Sequence, residues 1–265
     1  MKGITRDTVL EMFDRKMIWL FLIITLLAVL ITLASGGLRV PIEEQSSQQG
    51  LTGLEGIKAA IIAPVTIAYM WILSLLGILG TAGLFPRMLE RGRAEYYLSK
   101  PISRGSLYFN KMFGIFIAYF GVISLSLIVV YATLTLVHGS FSLRLLLTTI
   151  ATGGVVFFIY LSIAICAGII AGSHAIAIMT AFIIGVAQWA LSGRQVIKQL
   201  VDSSLFSGIL DGFYYIIPKT GEILDIGRDF ALGRPVPSWM PLWSSLLFSL
   251  VVILVTIWIF NRKNY

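Results

Sequence analysis

Charge is what this sequence has least of. Of its 265 residues only 12% are Asp, Glu, Lys or Arg while 57% are hydrophobic, and the mean hydropathy is +0.90. Soluble domains carry roughly a quarter charged residues, so water is not the main solvent of this chain. Cysteine is almost missing as well: Cys166 alone rules out an intrachain disulfide framework and says nothing about compartment. Several motifs that carry chemistry are absent. There is no G-x-x-x-x-G-K-[ST] run to cradle ATP phosphates, no H-E-x-x-H pair, no G-x-S-x-G elbow and no acidic cluster suited to Mg²⁺ and lipid head-group chemistry. The only histidines, His138 and His174, are expected at opposite membrane faces and so cannot form one metal site. No unit repeats at a fixed period. An enzyme is therefore not expected, nor a cofactor or metal on this chain; any energy used must come from another one.

What the sequence does have is long runs without charge, at residues 17–38, 59–86, 112–143, 145–193 and 235–261. Crossing a hydrocarbon core of ~30 Å at ~1.5 Å per residue takes about 20 helical residues, so four of these hold one span each. The run 145–193 holds two, with its break at Gly172-Ser173-His174. Six transmembrane helices follow, in a single all-α domain over residues 1–265. A signal peptide is the other reading of the first run, since it follows Arg15-Lys16 and ends near Ala34-Ser35-Gly36. Its length, the long acidic segment before it and the lack of a small-x-small site favour an uncleaved span. With the amino terminus inside, the inner segments carry twelve Lys and Arg and the outer ones eight; over the first three spans the ratio is ten to three. The positive-inside rule then puts both termini in the cytoplasm of a multi-pass cell-membrane protein. The net charge of +7 reflects this bias, and no nucleic-acid partner is needed to explain it.

Before the first run, Val9, Leu10, Phe13 and Met17 share one helical side, with Asp7, Glu11 and Asp14 opposite. This reads as an amphipathic helix at the inner membrane surface, with contact to a basic partner kept open. Pro64 is positioned to kink the second span. Residues 194–241 are long for a loop and remain apolar, from Val196 through Ile217 to the cap Pro218-Lys219-Thr220-Gly221. Two readings stay open: a lid of surface helices, or re-entrant helices forming an outer gate. No Asp, Glu, Lys or Arg is expected inside the spans, which argues against an ion-driven transporter. Gln188, in the fifth span, faces either a substrate path or a neighbouring helix, and Gly153-Gly154 and Gly168 suit close helix packing.

The most particular stretch lies between the second and third spans, on the inner side. It contains Arg87, Glu90, Arg91, Gly92, Arg93, Glu95, Tyr96, Leu98, Ser99, Lys100, Pro101, Ser103 and Arg104, and Lys111 follows. Arg91 and Glu95 stand i,i+4 and can pair along a helix, to which Met88, Leu89 and Tyr96 give an apolar side. Pro101 ends that helix by forcing Lys100 into an extended backbone, and Ser103 is placed to cap the next one. The bland alternative is a basic loop obeying the positive-inside rule.

The pattern of Glu90, Gly92, Glu95, Leu98, Ser99, Pro101-Ile102-Ser103-Arg104 and Lys111 resembles the motif between spans two and three of type-2 ABC transporter permeases. The whole chain is similar to the small single-domain members, such as the permease of nitrous-oxide-reductase maturation. Arg93 departs from the pattern, where a small or hydroxyl residue is more usual. The resemblance implies two such permeases, identical or paralogous, docked on separate ATP-binding cassette subunits that hold the ATP and Mg²⁺. The helix at 87–99 would then ride in a cassette cleft and pass its motion to the spans. Export of a substrate is the leading expectation. Mechanical coupling to an extracytoplasmic partner and a passive scaffold are the alternatives.

Overall fold

The computed structural model describes residues 10, 17–35, 54–88, 103–138, 142–192 and 204–262. Among these residues every regular element is a helix: α1 Met17–Ser35, α2 Leu54–Thr81, α3 Leu84–Met88, α4 Arg104–His138, α5 Leu143–Ala171, α6 His174–Ser192, α7 Ser204–Ile216, α8 Thr220–Ala231 and α9 Met240–Arg262. Four stretches are long and apolar enough to cross a membrane: Val65–Pro86, Arg104–Val137, Leu143–Ala171 and Met240–Arg262. Ile18–Ala34 and His174–Gln188 are shorter apolar helices. The chain is thus an all-helical polytopic bundle. The amphipathic segment expected before α1 lies outside the described residues, apart from Leu10.

Helix α5 is the spine, packed against α2, α6, α8 and α9. A bilayer gives no hydrophobic reward for bringing two apolar helices together, so close fit must hold them. Small residues on α5 provide that fit. A Cβ on Gly154 would stand 2.5 Å from the Phe120 ring of α4, and one on Gly153 would collide with Met70 of α2. Phe116 stacks on Phe120 and on Phe157 at centroid distances of 5.3 and 6.0 Å, joining α4 to α5. Between α1 and α2, Tyr69 donates from its hydroxyl to Thr25 Oγ1 at 2.9 Å, while Phe21 meets Tyr119 of α4 edge-on. The opposite sides of α1, α6 and α9 expose Leu, Ile, Val, Phe and Trp side chains, as a lipid-facing surface does.

The turn expected at 172–174 is present. Gly172 takes φ 64°, a left-handed conformation that costs a side-chain-bearing residue about 1–2 kcal/mol, and its N–H donates to Gly168 O at 2.9 Å. Ser142 caps the other end of α5, accepting from Leu145 N at 3.3 Å. Helix α2 continues through Pro64. The Gly172 end of the bundle also gathers α3, the start of α4 and the end of α9. Phe85 packs on Tyr108 and Phe260 there, and a Cβ on Gly168 would stand 2.9 Å from Pro86.

One residue corrects the expectation of uncharged spans. Helix α2 begins at Leu54 and takes in Glu55 and Lys58 ahead of its apolar stretch, which leaves the expectation intact there. Helix α4 begins at Arg104, which carries Lys111 about two turns inside, where it is only 1% exposed. Its neighbours Arg104 and Pro101 mark a boundary in sequence, but helix α4 starts where Ser103 caps it and not where the charges stop: Ser106 N donates to Ser103 Oγ at 3.3 Å.

Candidate functional site

Helices α7 and α8 form a hairpin whose turn, Ile217-Pro218-Lys219, is pushed into the bundle. Pro218, Lys219 and Thr220 are all buried. Helix α8 then climbs along α5 in the opposite direction. Thr220 lies at Tyr160, Gly227 lies against Thr152, and Phe230 lies under the Arg144 guanidinium at 4.4 Å. Gly227 allows this approach, because a Cβ there would meet Thr152 Oγ1 at 2.7 Å. Gln188 is four residues from the Ser192 end of α6, whereas Tyr160 is near the middle of α5, about 16 Å of helix from Ala171, so the tip meets α5 at mid-helix.

A helix that starts in such a place has a problem. Its first N–H groups have no intrahelical acceptors, and water is scarce. The N-cap residue of α8 is Lys219, whose side chain makes no capping bond. Three other helices supply the acceptors and their support. Ser245 Oγ of α9 accepts from Lys219 N at 2.8 Å. The Gln188 carboxamide of α6 is turned with its oxygen to the N–H groups of Thr220, at 3.0 Å, and Gly221. Its nitrogen then donates to the Thr220 hydroxyl and, at 3.2 Å, to the Tyr160 hydroxyl of α5. Reversed, the amide nitrogen would face N–H groups, so the hydrogen-bond network fixes its orientation. Gly221 lets the Gln188 amide come close, since a Cβ would stand 3.0 Å from it and push it aside by a few tenths of an ångström. Tyr160 Oη also lies 3.1 Å from Thr220 Oγ1.

Charge is concentrated beside this cap. Lys219 is 2% exposed; its ammonium donates to Ser244 Oγ at 3.3 Å and lies 4.6 Å from the centroid of the Tyr214 ring. Glu222, in the first turn of α8, accepts from the Tyr214 hydroxyl at 2.8 Å on both carboxylate oxygens. A carboxylate at that position is favoured by the helix dipole, whereas an ammonium is not. Gln188, Leu191, Tyr214, Ile217, Pro218, Lys219 and Glu222 line one small cavity, with room for about a single water-sized molecule. This arrangement can hold and orient a helix end; it brings no nucleophile and base together.

Gln188 was expected either on a substrate path or bonded to a neighbouring helix. It is bonded to its neighbours and lines the cavity. Sequence reading did not single out Tyr160, Lys219, Thr220, Glu222 or Ser245 as a set. The available signal was a Lys-Thr-Gly cap inside an apolar segment together with one Gln in an apolar helix, but no spacing links residues 160, 188, 220 and 245.

Of the residues expected to couple to an ATPase, Glu90, Arg91, Gly92, Arg93, Glu95, Tyr96, Leu98, Ser99, Lys100 and Pro101 lie outside the described residues. Arg87 falls in α3. Arg104 is half-buried at the start of α4 and donates from Nη1 to Asn261 O, in the last turn of α9, at 3.3 Å. A cation suits that helix C-terminus, and the contact ties the base of α4 to the end of the chain's last helix.

An all-helical bundle with lipid-facing apolar surfaces, close glycine-mediated packing and a buried helical hairpin defines a multi-pass membrane protein. The sequence model for the family described as ABC-2 family transporter protein matches residues 9–265, and the chain belongs to that family. It is accordingly a membrane permease subunit of an ABC transporter. Comparison with curated proteins found no match.

Proposed function

We propose that this permease is one of two membrane subunits, identical or paralogous, that export a substrate using ATP hydrolysed on separate cassette subunits, with ATP and Mg²⁺ bound there. A family match over nearly the whole chain, in a sequence without a phosphate-binding loop, carries this reading. We take the spans as six: α1, α2 with α3, α4, α5, α6 and α9, forming one permease domain over residues 1–265. Helices α1 and α6 have 19 residues each, about 28 Å of helix, close to the ~30 Å of a hydrocarbon core. Both termini are cytoplasmic in this reading, the Gly172 end faces the cytoplasm, and the α7–α8 hairpin enters from outside as a re-entrant gate. Force arrives through residues 87–99, which join the base of the bundle near α3 and Arg104. A second reading, motion passed to an extracytoplasmic partner without transport, draws on the exposed Leu205, Ile209, Phe213 and Ile216 of α7.

Charge reversal at the coupling segment tests this function. Single surface ion pairs contribute ~0–1 kcal/mol, so we choose Glu90→Lys together with Glu95→Lys, a change of four charge units. Added inner positive charge agrees with the insertion bias and should leave membrane levels normal. The expected result is weakened co-purification with the partner cassette ATPase, or an uncoupled ATPase rate. Unchanged binding and coupling at equal expression would reduce residues 87–99 to a basic loop.

A further inference from the structure

The first backbone amides of α8 are met from outside its own hairpin: Gln188 from α6 and Ser245 from α9 accept from them, with Tyr160 of α5 behind. Such an attachment fixes the hairpin to the bundle at its tip. A shift of α6 against α8 would take Gln188 away from the Thr220 and Gly221 amides and leave only the Ser245 bond to Lys219 N. Opposing the attachment is the burial of Lys219. Its ammonium is removed from water and lies at the positive end of the α8 dipole, with Ser244 and the Tyr214 ring as neighbours and Glu222 across the shared cavity. Attraction at the cap and the cost of desolvating charge act on the same turn with opposite sign.

We propose that residues 217–222 form a two-position latch: capped by Gln188 and Ser245 the hairpin is seated, and released it swings outward and returns Lys219 and Glu222 to water. This rests on the reading of the hairpin as a gate. It adds the device that holds the gate shut, and names α6 as the element whose displacement removes two of the three backbone bonds. Among the described residues α7 packs chiefly on α6, and Leu205, Ile209, Phe213 and Ile216 are exposed along it. The next helix, α8, buries Ile223, Leu224, Ile226 and Gly227 against the bundle and would carry the cost of release.

Hydrogen exchange read by mass spectrometry, on the full chain in lipid nanodiscs, tests the latch directly. Gln188→Ala removes the acceptor for two α8 amides. At typical capping strength this should speed exchange in peptides covering 217–224 by about tenfold. Gln188→Glu keeps an acceptor at the same reach and should restore slow exchange. The variant Lys219→Met with Glu222→Gln removes both charges without leaving one unpaired, and should slow exchange below the parent. Faster exchange in the neutral double variant, or no change with Gln188→Ala, would overturn the latch. Peptides from α4 should be unchanged throughout, and loss of their protection would show that the bundle itself had opened, contradicting a local device. None of these outcomes touches the permease assignment, which stands or falls on cassette co-purification.

Discussion

Lys219 and Lys111 show what a linear sequence conceals about single residues. Each stands next to what reads as loop, one after Pro218 and one shortly after Pro101 and Arg104, and each is almost fully buried. Counting charges between apolar runs assigns both to water. Burial of Lys219 depends on a chain reversal that brings Ser244, Tyr214 and Gln188 around it, and no local pattern encodes that. Glycines are more readable, because a small residue in an apolar helix points to close approach, as Gly153 and Gly154 do. Even there the partner is invisible. Gly227 and Gly208 look alike in sequence, yet a Cβ at 227 would stand 3.2 Å from the Cβ of Thr152, while among the described residues nothing lies within 4 Å of one at 208. Thr152 is β-branched and stiff, and its hydroxyl is bonded to Thr148 O at 2.8 Å, so it yields little. Gly227→Ala should therefore destabilise by about 1–3 kcal/mol, and Gly208→Ala should be neutral or stabilise by up to about 1 kcal/mol through helix propensity. Thermal unfolding of the two variants in one detergent provides the comparison.

Among elements, the apolar runs announced the helices because a membrane leaves the backbone few alternatives. The tight turn at Gly172 and the cap at Ser103 were legible for the same local reasons. Helix ends were less so. Charge-free windows placed the third span at 112–143, whereas α4 runs from Arg104 to His138, since capping and not charge determines where a helix begins. This offset gives Arg104 a structural task that its motif position did not reveal. Its bond to Asn261 O joins the first turn of α4 to the last of α9. Arg104→Ala should fray the end of α9, with faster amide exchange confined to residues 257–262 and a loss of no more than about 1–3 kcal/mol. Arg104→Lys should recover only part of it, because a lysine lacks the extended planar donor fork. Equal exchange in parent and Arg104→Ala would mean the contact does not hold α9.

At the scale of the whole molecule, the reading of orientation makes a demand that can be checked in cells. In a Cys166→Ser background, Ser46→Cys should react with an impermeant maleimide in intact cells, and Ser99→Cys should react only after permeabilisation. The reverse pattern would invert the bundle and put the α7–α8 hairpin on the cytoplasmic side. The hairpin itself was half legible: apolar periodicity up to Ile217 and the Pro-Lys-Thr-Gly cap marked helix and its end, but neither the helix α8 that follows nor how deeply the break is seated. Depth is set by pairing across α5, from Thr220 with Tyr160 to Phe230 with Arg144, and such long-range registration has no counterpart in sequence spacing.

The cap on α8 also has a consequence for how the chain is made. Ser245 belongs to α9, the final helix in chain order, while the amide it accepts belongs to residue 219. A ribosome delivers the hairpin before the residue that completes its attachment, so the hairpin waits, with a backbone donor unmet, until about 25 further residues have emerged. Biogenesis thus has a built-in order, and a chain halted after Ala231 should be recognised as unfinished and degraded. In a pulse-chase experiment, Ser245→Ala should mature more slowly than the parent even where its final abundance is similar, whereas Ser238→Ala, outside the cap, should mature at the parental rate.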